Sequence, residues 1–303
     1  MDIPYLPEVP TGELRERLAC VRYVFTDLDG TMMGPNSTVL ANAAGGSRVS
    51  NSCRPSSSSS KAGVSVVPTS GRNRAMMRED TRLLGLNAFI SEMGGIVMTD
   101  LSHDTWEYFT AEMEYDPSCG LTPHEVIEQT GLCEAFITRY PGMLEYHNDM
   151  SAGYKHREVT IGLRGEIPDE EAIALLNASG MALDWADNGF LNYISAPTTL
   201  ELPEGVRGRA FNVMPKGLNK GRGIERFCEI MGIPREETIG IGDAASDFLM
   251  ADYTGIFIMV ENGLKDPGAE EFLATHDNAF VAPGRTVDAW VAGMRSLLEA
   301  IGR

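Results

Sequence analysis

This 303-residue chain has few cysteines, few basic residues and no long hydrophobic run. The five cysteines are scattered, with no CxxC pair, which argues against a disulfide framework or a zinc site and favours free thiols in a reducing compartment. The net charge of -18 argues against non-specific binding to nucleic acid or to an anionic membrane. No apolar stretch approaches the roughly 18 residues of a membrane span. The start resembles no signal peptide, so we expect a cytoplasmic protein.

The remaining composition is that of an ordinary globular protein, with 43% hydrophobic and 22% charged residues. The length allows a full α/β core together with a second domain. The acidic balance does not exclude a small anionic substrate, because such a ligand needs only local positive charge.

The most informative segment is DLDGT at residues 27–31, which follows an apolar run at residues 21–26. It brings two carboxylates, one residue apart, to a glycine turn. Such carboxylates repel each other and are costly to bury unless a cation or proton compensates. A divalent metal and a carboxylate nucleophile that forms an aspartyl-phosphate would explain the arrangement, and Mg²⁺ prefers these oxygen ligands. Taken alone, the segment would also suit a plain turn after an edge strand.

Short apolar runs alternate with helical patterns on both sides of the chain's middle. This alternation predicts an α/β fold with a parallel sheet covered on both faces. The predicted strands are residues 21–26, 64–68, 88–90, 238–241 and 255–260, and the predicted helices are residues 11–18, 73–84, 223–231, 247–252 and 288–301.

The middle of the chain differs from the flanking parts in composition and hydrophobic pattern, and this difference predicts an inserted α+β module. It mixes aromatic and acidic residues with two isolated strand-like runs, at residues 158–163 and 191–195, and one helix at residues 169–177. We therefore predict the following division: a first core part at residues 1–98, the inserted domain at 99–208 and a second core part at 209–303.

Residues 34–60 do not fit this scheme. A crossover helix belongs between the first two parallel strands, yet the segment is serine-rich and lacks a helical period. One hypothesis is a flexible loop that replaces the helix, and another is a local frame shift that scrambled an ordinary helix.

Four polar segments each end a predicted strand or begin the turn after it: Asp27 with Asp29, and residues 70–72, 216–220 and 242–247. In an open parallel sheet the carboxyl ends of neighbouring strands face one crevice, where ligands bind. We therefore expect the four segments to meet in one site.

The first two segments supply groups for phosphoryl chemistry. Asp27 would attack phosphorus. Asp29, with its side chain on the same face, would act as general acid and then as general base. Ser70 and Gly71, at a helix N-terminus, would hold phosphoryl oxygens, and Arg72 would contact the substrate.

The last two segments supply charge. Lys220 would neutralise charge between the nucleophile and the phosphate. Asp243 would complete the metal site, with Asp247 one helical turn later as a metal-site residue that orients the direct ligands or binds the metal through a water. Taken alone, these two aspartates would also suit the first turn of a helix, where carboxylates are favoured.

In this order the four segments resemble the four motifs of the haloacid dehalogenase (HAD) superfamily, in its Cof-like branch. The resemblance implies a Rossmann-like core, a C2-type cap between the second and third motifs, and Mg²⁺-dependent hydrolysis of phosphomonoesters. It implies that Asp27, the backbone carbonyl of Asp29 and Asp243 hold the metal. It also implies that Ser70 and Lys220 bind phosphate.

Two positions depart from the Cof-like pattern. Ser246 stands where that branch usually has Asn, and Met93 stands where it has Asn in Glu-Asn-Gly. Residues 92–95 and 283–290 faintly resemble mannosyl-3-phosphoglycerate phosphatases instead. Cof-type substrate preferences are therefore not carried over.

The leading expectation is a phosphatase that acts on a small phosphorylated metabolite, such as a sugar phosphate. A phosphotransferase or phosphomutase would use the same aspartyl-phosphate and pass the group to a sugar rather than to water. A binding or regulatory protein that retained the site but lost turnover is the third reading, since a missing crossover helix would loosen the site.

Overall fold

The computed structural model describes residues 3–34, 37–39, 63–147, 156–191 and 194–302. The chain divides into two compact units. The core unit comprises Met1–Ser70, Met77–Trp106 and Asn219–Arg303, and the middle unit comprises Gly71–Met76 and Glu107–Leu218.

The strands and helices of the described residues are numbered in chain order. The strands are β1 (Tyr23–Thr26), β2 (Ser65–Pro68), β3 (Phe89–Ser91), β4 (Ile96–Asp100), β5 (Thr105–Tyr108), β6 (Leu144–Tyr146), β7 (Ile161–Gly165), β8 (Leu183–Phe190), β9 (Arg209–Pro215), β10 (Thr238–Gly242), β11 (Ile256–Val260) and β12 (Ala279–Ala282). The α-helices are α1 (Gly12–Ala19), α2 (Arg74–Leu83), α3 (Pro123–Gln129), α4 (Leu132–Arg139), α5 (Asp169–Ala178), α6 (Lys220–Met231), α7 (Ala245–Phe248), α8 (Ala269–Thr275) and α9 (Val287–Ile301).

The core unit is built on a five-stranded parallel sheet in the order β12-β11-β10-β1-β2. Every residue of β10 and β11 is buried, as expected when helices cover both faces of a parallel sheet. On one face, α9 buries ten of its fifteen residues. Among them Trp290 is fully buried, and its indole nitrogen donates a hydrogen bond to the Thr26 hydroxyl at 3.0 Å.

The register of this sheet brings three strand ends to one edge. Thr26, the last residue of β1, pairs with Ile241 of β10 on one side and with Pro68 of β2 on the other. The residues that follow the three strands therefore leave the sheet side by side. These are the positions at which the sequence places its acidic and hydroxyl groups.

The predicted strand at residues 88–90 corresponds to β3, but β3 is not a member of the five-stranded sheet. It pairs antiparallel with β4 in a three-stranded sheet, β3-β4-β5, and Ile90 forms a parallel bridge with Thr69, the residue that follows β2. The chain reverses after β3 in a tight 3-10 turn, where Met93 and Gly94 have φ of 60° and 109°. The apolar run alone did not reveal this reversal.

The middle unit contains an antiparallel sheet in the order β6-β7-β9-β8, with α3, α4 and α5. The predicted strand at 158–163 begins later, as β7. The prediction of a strand at 191–195 is wrong for the described residues Leu191, Ile194 and Ser195, because the strand ends at Phe190. As an edge strand, β8 is half-buried or exposed over most of its length, and Asp184, Asp187 and Asn188 interrupt its apolar residues, so its sequence contains no continuous apolar run.

The middle unit's main segment begins after residue 106 and ends at residue 218, whereas the sequence predicted an inserted domain at residues 99–208. The pairing of β9 explains the second difference. Arg209 to Val213 pair with β7, and Leu183 of β8 pairs with Pro215, so β9 lies within the sheet of the middle unit.

Most of the serine-rich segment predicted to be anomalous, residues 35–36 and 40–60, lies outside the described residues. Its first part, at Gly34, forms an antiparallel bridge with Thr38. None of the helices in the described part of the chain has both the length and the apolar character that crossing a membrane requires.

Candidate active site

Three aspartates cluster at the edge where the core strands end. Asp27 follows β1, Asp243 follows β10, and Asp247 lies in the short helix α7. Each offers one carboxylate oxygen to a group whose members all lie within 4.8 Å of one another. Asp27 and Asp247 are buried and Asp243 is half-buried. The predicted convergence of Asp27 and Asp243 is therefore present in the structure.

Lys220 joins this acidic cluster from a third element. It is the first residue of α6, a helix that begins three residues earlier than predicted. The Asn219 side chain caps the helix by accepting a hydrogen bond from the Arg222 amide at 2.9 Å. The buried Lys220 ammonium lies 2.7 Å from Asp27 Oδ1 and 2.5 Å from Asp247 Oδ1.

The Asp247 carboxylate accepts hydrogen bonds from three groups of the site. Its Oδ1 accepts from Lys220, and its Oδ2 accepts from the backbone amides of Asp243 and Ala244, both at 3.1 Å. Both oxygens thus hold parts of the site in place. This bonding favours a role in orienting Lys220 and the 243–244 turn over direct binding of a cation.

Asp29 lies in different surroundings from Asp27. Regular strand structure ends at Thr26, so both aspartates lie in the turn after β1 rather than on the strand. The Asp29 side chain is exposed, and its Oδ1 accepts a hydrogen bond from the Ser37 hydroxyl at 2.6 Å. Its predicted contributions, acid–base chemistry by the side chain and a metal-binding backbone carbonyl, stay predictions.

Gly30 is required by the close approach of the first and last motifs. Its φ is 85°, in the left-handed region that favours glycine. A Cβ atom placed there would lie 2.4 Å from Oδ2 of Asp243. The glycine therefore lets the turn after β1 pack directly against the carboxylate that follows β10.

The Thr-Ser-Gly-Arg segment follows β2, the other neighbour of β1. Ser70 is buried, and its amide donates to the Ile90 carbonyl at 3.0 Å. Helix α2 begins only at Arg74, with the Asn73 side chain accepting from the Met76 amide, so Ser70 precedes the helix by several residues.

Gly71 and Arg72 belong by their contacts to the middle unit. There the Gly71 carbonyl accepts a hydrogen bond from Arg157 Nη1 at 3.1 Å. The substrate-binding roles predicted for Ser70, Gly71 and Arg72 stay predictions.

The site concentrates negative charge away from water. Burial raises the pKa of Asp27 to about 8, and the Asp247 carboxylate adds to the rise although Lys220 opposes it. Burial, with repulsion from Asp247, raises the pKa of Asp243 to about 6. Burial alone would lower the pKa of Lys220, but the carboxylates of Asp247 and Asp27 outweigh it and raise that pKa. One ammonium does not neutralise three carboxylates, so the site favours a further proton or cation.

A model of the haloacid dehalogenase-like hydrolases matches residues 24–267. The chain belongs to this family. A curated relative, the phosphoglycolate phosphatase of Methanococcoides burtonii, is 20% identical over 247 residues, which cover 81% of this chain and 86% of the relative. The predicted assignment to an enzyme family of HAD-type hydrolases is confirmed.

Solved structures share the fold. A protein from Thermoplasma acidophilum is similar with a TM-score of 0.58 at 17% identity, covering 92% of this chain and 99% of that one. The sucrose-phosphatase of Synechocystis, solved in complex with sucrose and phosphate, has a TM-score of 0.57 at 11% identity and covers 91% of this chain and 97% of its own. These similarities confirm the predicted α/β fold class.

The donor set of this HAD-family site fits Mg²⁺. The oxygens of Asp27 and Asp243 are close enough to share an ion, and carboxylate oxygens are the ligands that Mg²⁺ prefers. A divalent cation would also offset the excess charge that raises both pKa values. The residues that would hold it are therefore Asp27 and Asp243, with Asp247 behind them.

The cation-free protein is expected to become less stable as the pH rises. The pKa of Asp27 in the folded state, about 8, lies above its value in an unfolded chain, and that of Asp243 is raised to about 6. For each carboxyl group, between its pKa in the unfolded chain and its higher pKa in the folded protein, the folded state holds a proton that the unfolded state has released. The free energy of unfolding therefore falls from about pH 4 to about pH 8. Urea unfolding in EDTA at several pH values measures this slope.

Two further measurements test whether the pH dependence of stability comes from these carboxylates. Mg²⁺ is expected to flatten the slope, because a bound cation favours the ionised carboxylates. An Asp27→Asn variant is expected to show a smaller slope in EDTA than the wild type, since one of the titrating groups is gone. If the slope of unfolding free energy against pH were the same with Mg²⁺, and the same in Asp27→Asn as in the wild type, these carboxylates would not titrate as described.

Asn262 is a site residue that the sequence analysis missed. It lies two residues after β11, and its side-chain amide donates to Asp243 Oδ2 at 2.8 Å. The Thr31 hydroxyl donates to Asp243 Oδ1 at 3.1 Å. The rule that picked out the other segments, polar groups after parallel strands, also applies to Asn262, but the turn at residues 261–263 was not one of the four segments considered.

Proposed function

We propose that this chain is a Mg²⁺-dependent phosphomonoesterase that hydrolyses a small phosphorylated metabolite through an aspartyl-phosphate. The observation that carries the proposal is the buried carboxylate of Asp27, held at one oxygen by Lys220 and within 4.8 Å of the oxygens of Asp243 and Asp247. A carboxylate kept in this setting is suited to attack a phosphoryl group.

In the first half of the reaction an Asp27 oxygen attacks phosphorus. The bond from phosphorus to the leaving oxygen breaks, and Asp29 gives that oxygen a proton. Lys220 holds Asp27 Oδ1 and stabilises the ionised form that attacks. When bound, Mg²⁺ would supply positive charge that offsets the carboxylate and phosphoryl oxygens.

In the second half, water attacks the phosphorus of the aspartyl-phosphate. Asp29 takes a proton from this water, the bond between phosphorus and the Asp27 oxygen breaks, and phosphate leaves with the carboxylate restored. Ser70, Gly71 and Arg72 are proposed to hold the phosphoryl oxygens and the substrate through both halves. The proton on Asp29 after the second half is the one that the next substrate's leaving group receives.

The names of related proteins support a small phosphorylated organic substrate. One is a phosphoglycolate phosphatase and another a sucrose-phosphatase. They differ in substrate, so they support the class and not one compound. Within the described residues the sheet and helices of the middle unit form an α+β module in the sequence position of the cap, which we propose selects the substrate.

A panel of phosphorylated metabolites, including sugar phosphates and phosphorylated short acids, tests the proposal. Purified full-length protein with Mg²⁺ is expected to release inorganic phosphate from at least one member and to stop when EDTA is added. In water enriched in ¹⁸O, the released phosphate should gain one heavy oxygen, because water attacks phosphorus. No release from any member or from a chromogenic phosphomonoester would refute the proposed function.

The same experiment separates hydrolysis from transfer. A phosphotransferase or phosphomutase would move the phosphoryl group to a sugar hydroxyl, which mass spectrometry of the products detects. Binding of a phosphorylated metabolite with no reaction would instead indicate a regulatory protein.

A further inference from the structure

We propose that Asn262 is a positioning residue that orients Asp243 for the divalent cation, an inference that rests on the proposed function. Asn262 lies in the 3-10 turn Glu261–Lys265, directly after β11. Its Nδ2 donates to Asp243 Oδ2 at 2.8 Å and to the Gly30 carbonyl at 3.1 Å. Its Oδ1 accepts from the Thr286 amide at 2.7 Å. One amide group therefore ties together the turns that follow β1 and β10 and the start of α9.

Hydrogen bonds hold both oxygens of the Asp243 carboxylate. Asn262 bonds Oδ2 and the Thr31 hydroxyl bonds Oδ1, so rotation of the carboxylate about its side-chain torsions breaks at least one of them. Each carboxylate oxygen has two lone pairs and retains one for a cation. Asp243 is therefore fixed in one orientation before a cation arrives, and the cation does not have to order it.

The turn that carries Asn262 packs against the backbone of Asp243. A Cβ atom added to Gly263 would lie 3.0 Å from the Asp243 carbonyl oxygen and 2.9 Å from Met259 Cγ. At the carboxylate, a Cβ atom added to Gly30 would lie 2.4 Å from Asp243 Oδ2. Asp243 therefore makes close contacts with two glycines, one at its backbone and one at its carboxylate, and Asn262 bonds that same carboxylate.

The other end of Asn262 is anchored to a strained turn. Thr286 has φ 49° and ψ −131°, a conformation that a β-branched residue adopts only when its surroundings hold it there. Asn262 Oδ1 holds the Thr286 amide, and Glu261 holds the same turn by accepting from the Gly284 amide at 2.7 Å. Of these two neighbouring side chains, Asn262 is the one that bonds Asp243.

Asn262→Ala is expected to weaken Mg²⁺ binding about tenfold, because residues that orient metal ligands typically contribute that much to affinity. Isothermal titration of the full-length protein with Mg²⁺ alone measures the dissociation constant and needs no substrate. In phosphate-release assays the Mg²⁺ concentration for half-maximal activity should rise by the same factor. The rate at saturating Mg²⁺ should return to the wild-type value.

Glu261→Gln is the matched control. It alters the neighbouring side chain that holds the same turn, through bonds from Gly284 and from the Tyr5 hydroxyl, but it touches no carboxylate of the site. Its Mg²⁺ affinity is expected to equal that of the wild type. If Asn262→Ala is too unstable to assay, Asn262→Leu keeps the branched shape and should show the same loss of affinity.

The outcomes separate this inference from the proposed function. Unchanged affinity in Asn262→Ala, equal weakening in Glu261→Gln, or a wild type that binds no Mg²⁺ would overturn the inference. A wild type that binds Mg²⁺ in an Asn262-dependent way but hydrolyses no phosphomonoester would overturn the proposed function and leave the inference standing.

Discussion

Asp27→Asn is expected to reduce phosphate release by about 10⁴-fold or more, the scale of loss seen when a catalytic nucleophile is removed. An asparagine amide has nearly the shape of the carboxylate but does not form the aspartyl-phosphate. The variant should still fold, because it removes one of three mutually repelling carboxylates and leaves Lys220 paired with Asp247. Phosphate release with Mg²⁺ and thermal unfolding in EDTA measure the two effects.

Asp252→Asn is the control for this experiment. Asp252 is exposed and lies outside the acidic cluster, with its carboxylate 3.4 Å from His276 Nε2. Its loss should leave both activity and unfolding temperature near those of the wild type. Wild-type activity in Asp27→Asn, from a protein confirmed by mass to carry the substitution, would remove Asp27 as the nucleophile.

Lys220→Met is expected to destabilise the cation-free protein by about 3–5 kcal/mol, the cost of removing one partner from a buried charge pair. Methionine fills similar space but leaves Asp27 and Asp247 without the ammonium that lies within 2.7 Å of both. The loss should be smaller near pH 5, where Asp27, with a pKa of about 8, is protonated. Urea unfolding in EDTA measures the loss, and phosphate release should fall as well.

Lys216→Met provides the comparison. Lys216 lies four residues earlier and is exposed, and its ammonium forms a surface pair with Glu112 at 3.6 Å. A surface pair of this kind contributes about 0–1 kcal/mol, so the substitution should change stability little. Equal destabilisation by the two substitutions would mean that the buried cluster does not depend on the Lys220 ammonium.

The parallel core could be predicted because its strands are short apolar runs buried on both faces. The predicted strand at residues 238–241 is β10 almost residue for residue, and the run at 255–260 is β11. The sequence pattern carries this information, since a strand covered by helices on both sides has no polar face. Strand β12 was missed because Ala279–Ala282 is short and contains two alanines, which give a weak apolar signal.

Local patterns failed where a neighbour decides the structure. Strand β8 is held by its pairing with β9, although polar residues and a glycine interrupt its apolar residues. Asp29 follows Asp27 by two residues, yet Asp27 is buried and Asp29 is exposed, a difference that the local pattern of the DLDGT segment does not reveal. Asn262 joins the site through a hydrogen bond to Asp243, and its position just after the apolar run of β11 is the one sequence signal for that contact, which the sequence analysis did not use.

The amino-acid sequence alone determined the strand–helix alternation of the core, the resemblance to the family and the polar groups at the core strand ends, because these depend on local apolar runs and short motifs. Only the tertiary structure decided that Lys220 lies between Asp27 and Asp247, and that Thr31 and Asn262 hold Asp243 from two sides. Those contacts join residues up to 212 positions apart. They exist because parallel strands, whatever their order in the chain, end at the same edge of the sheet.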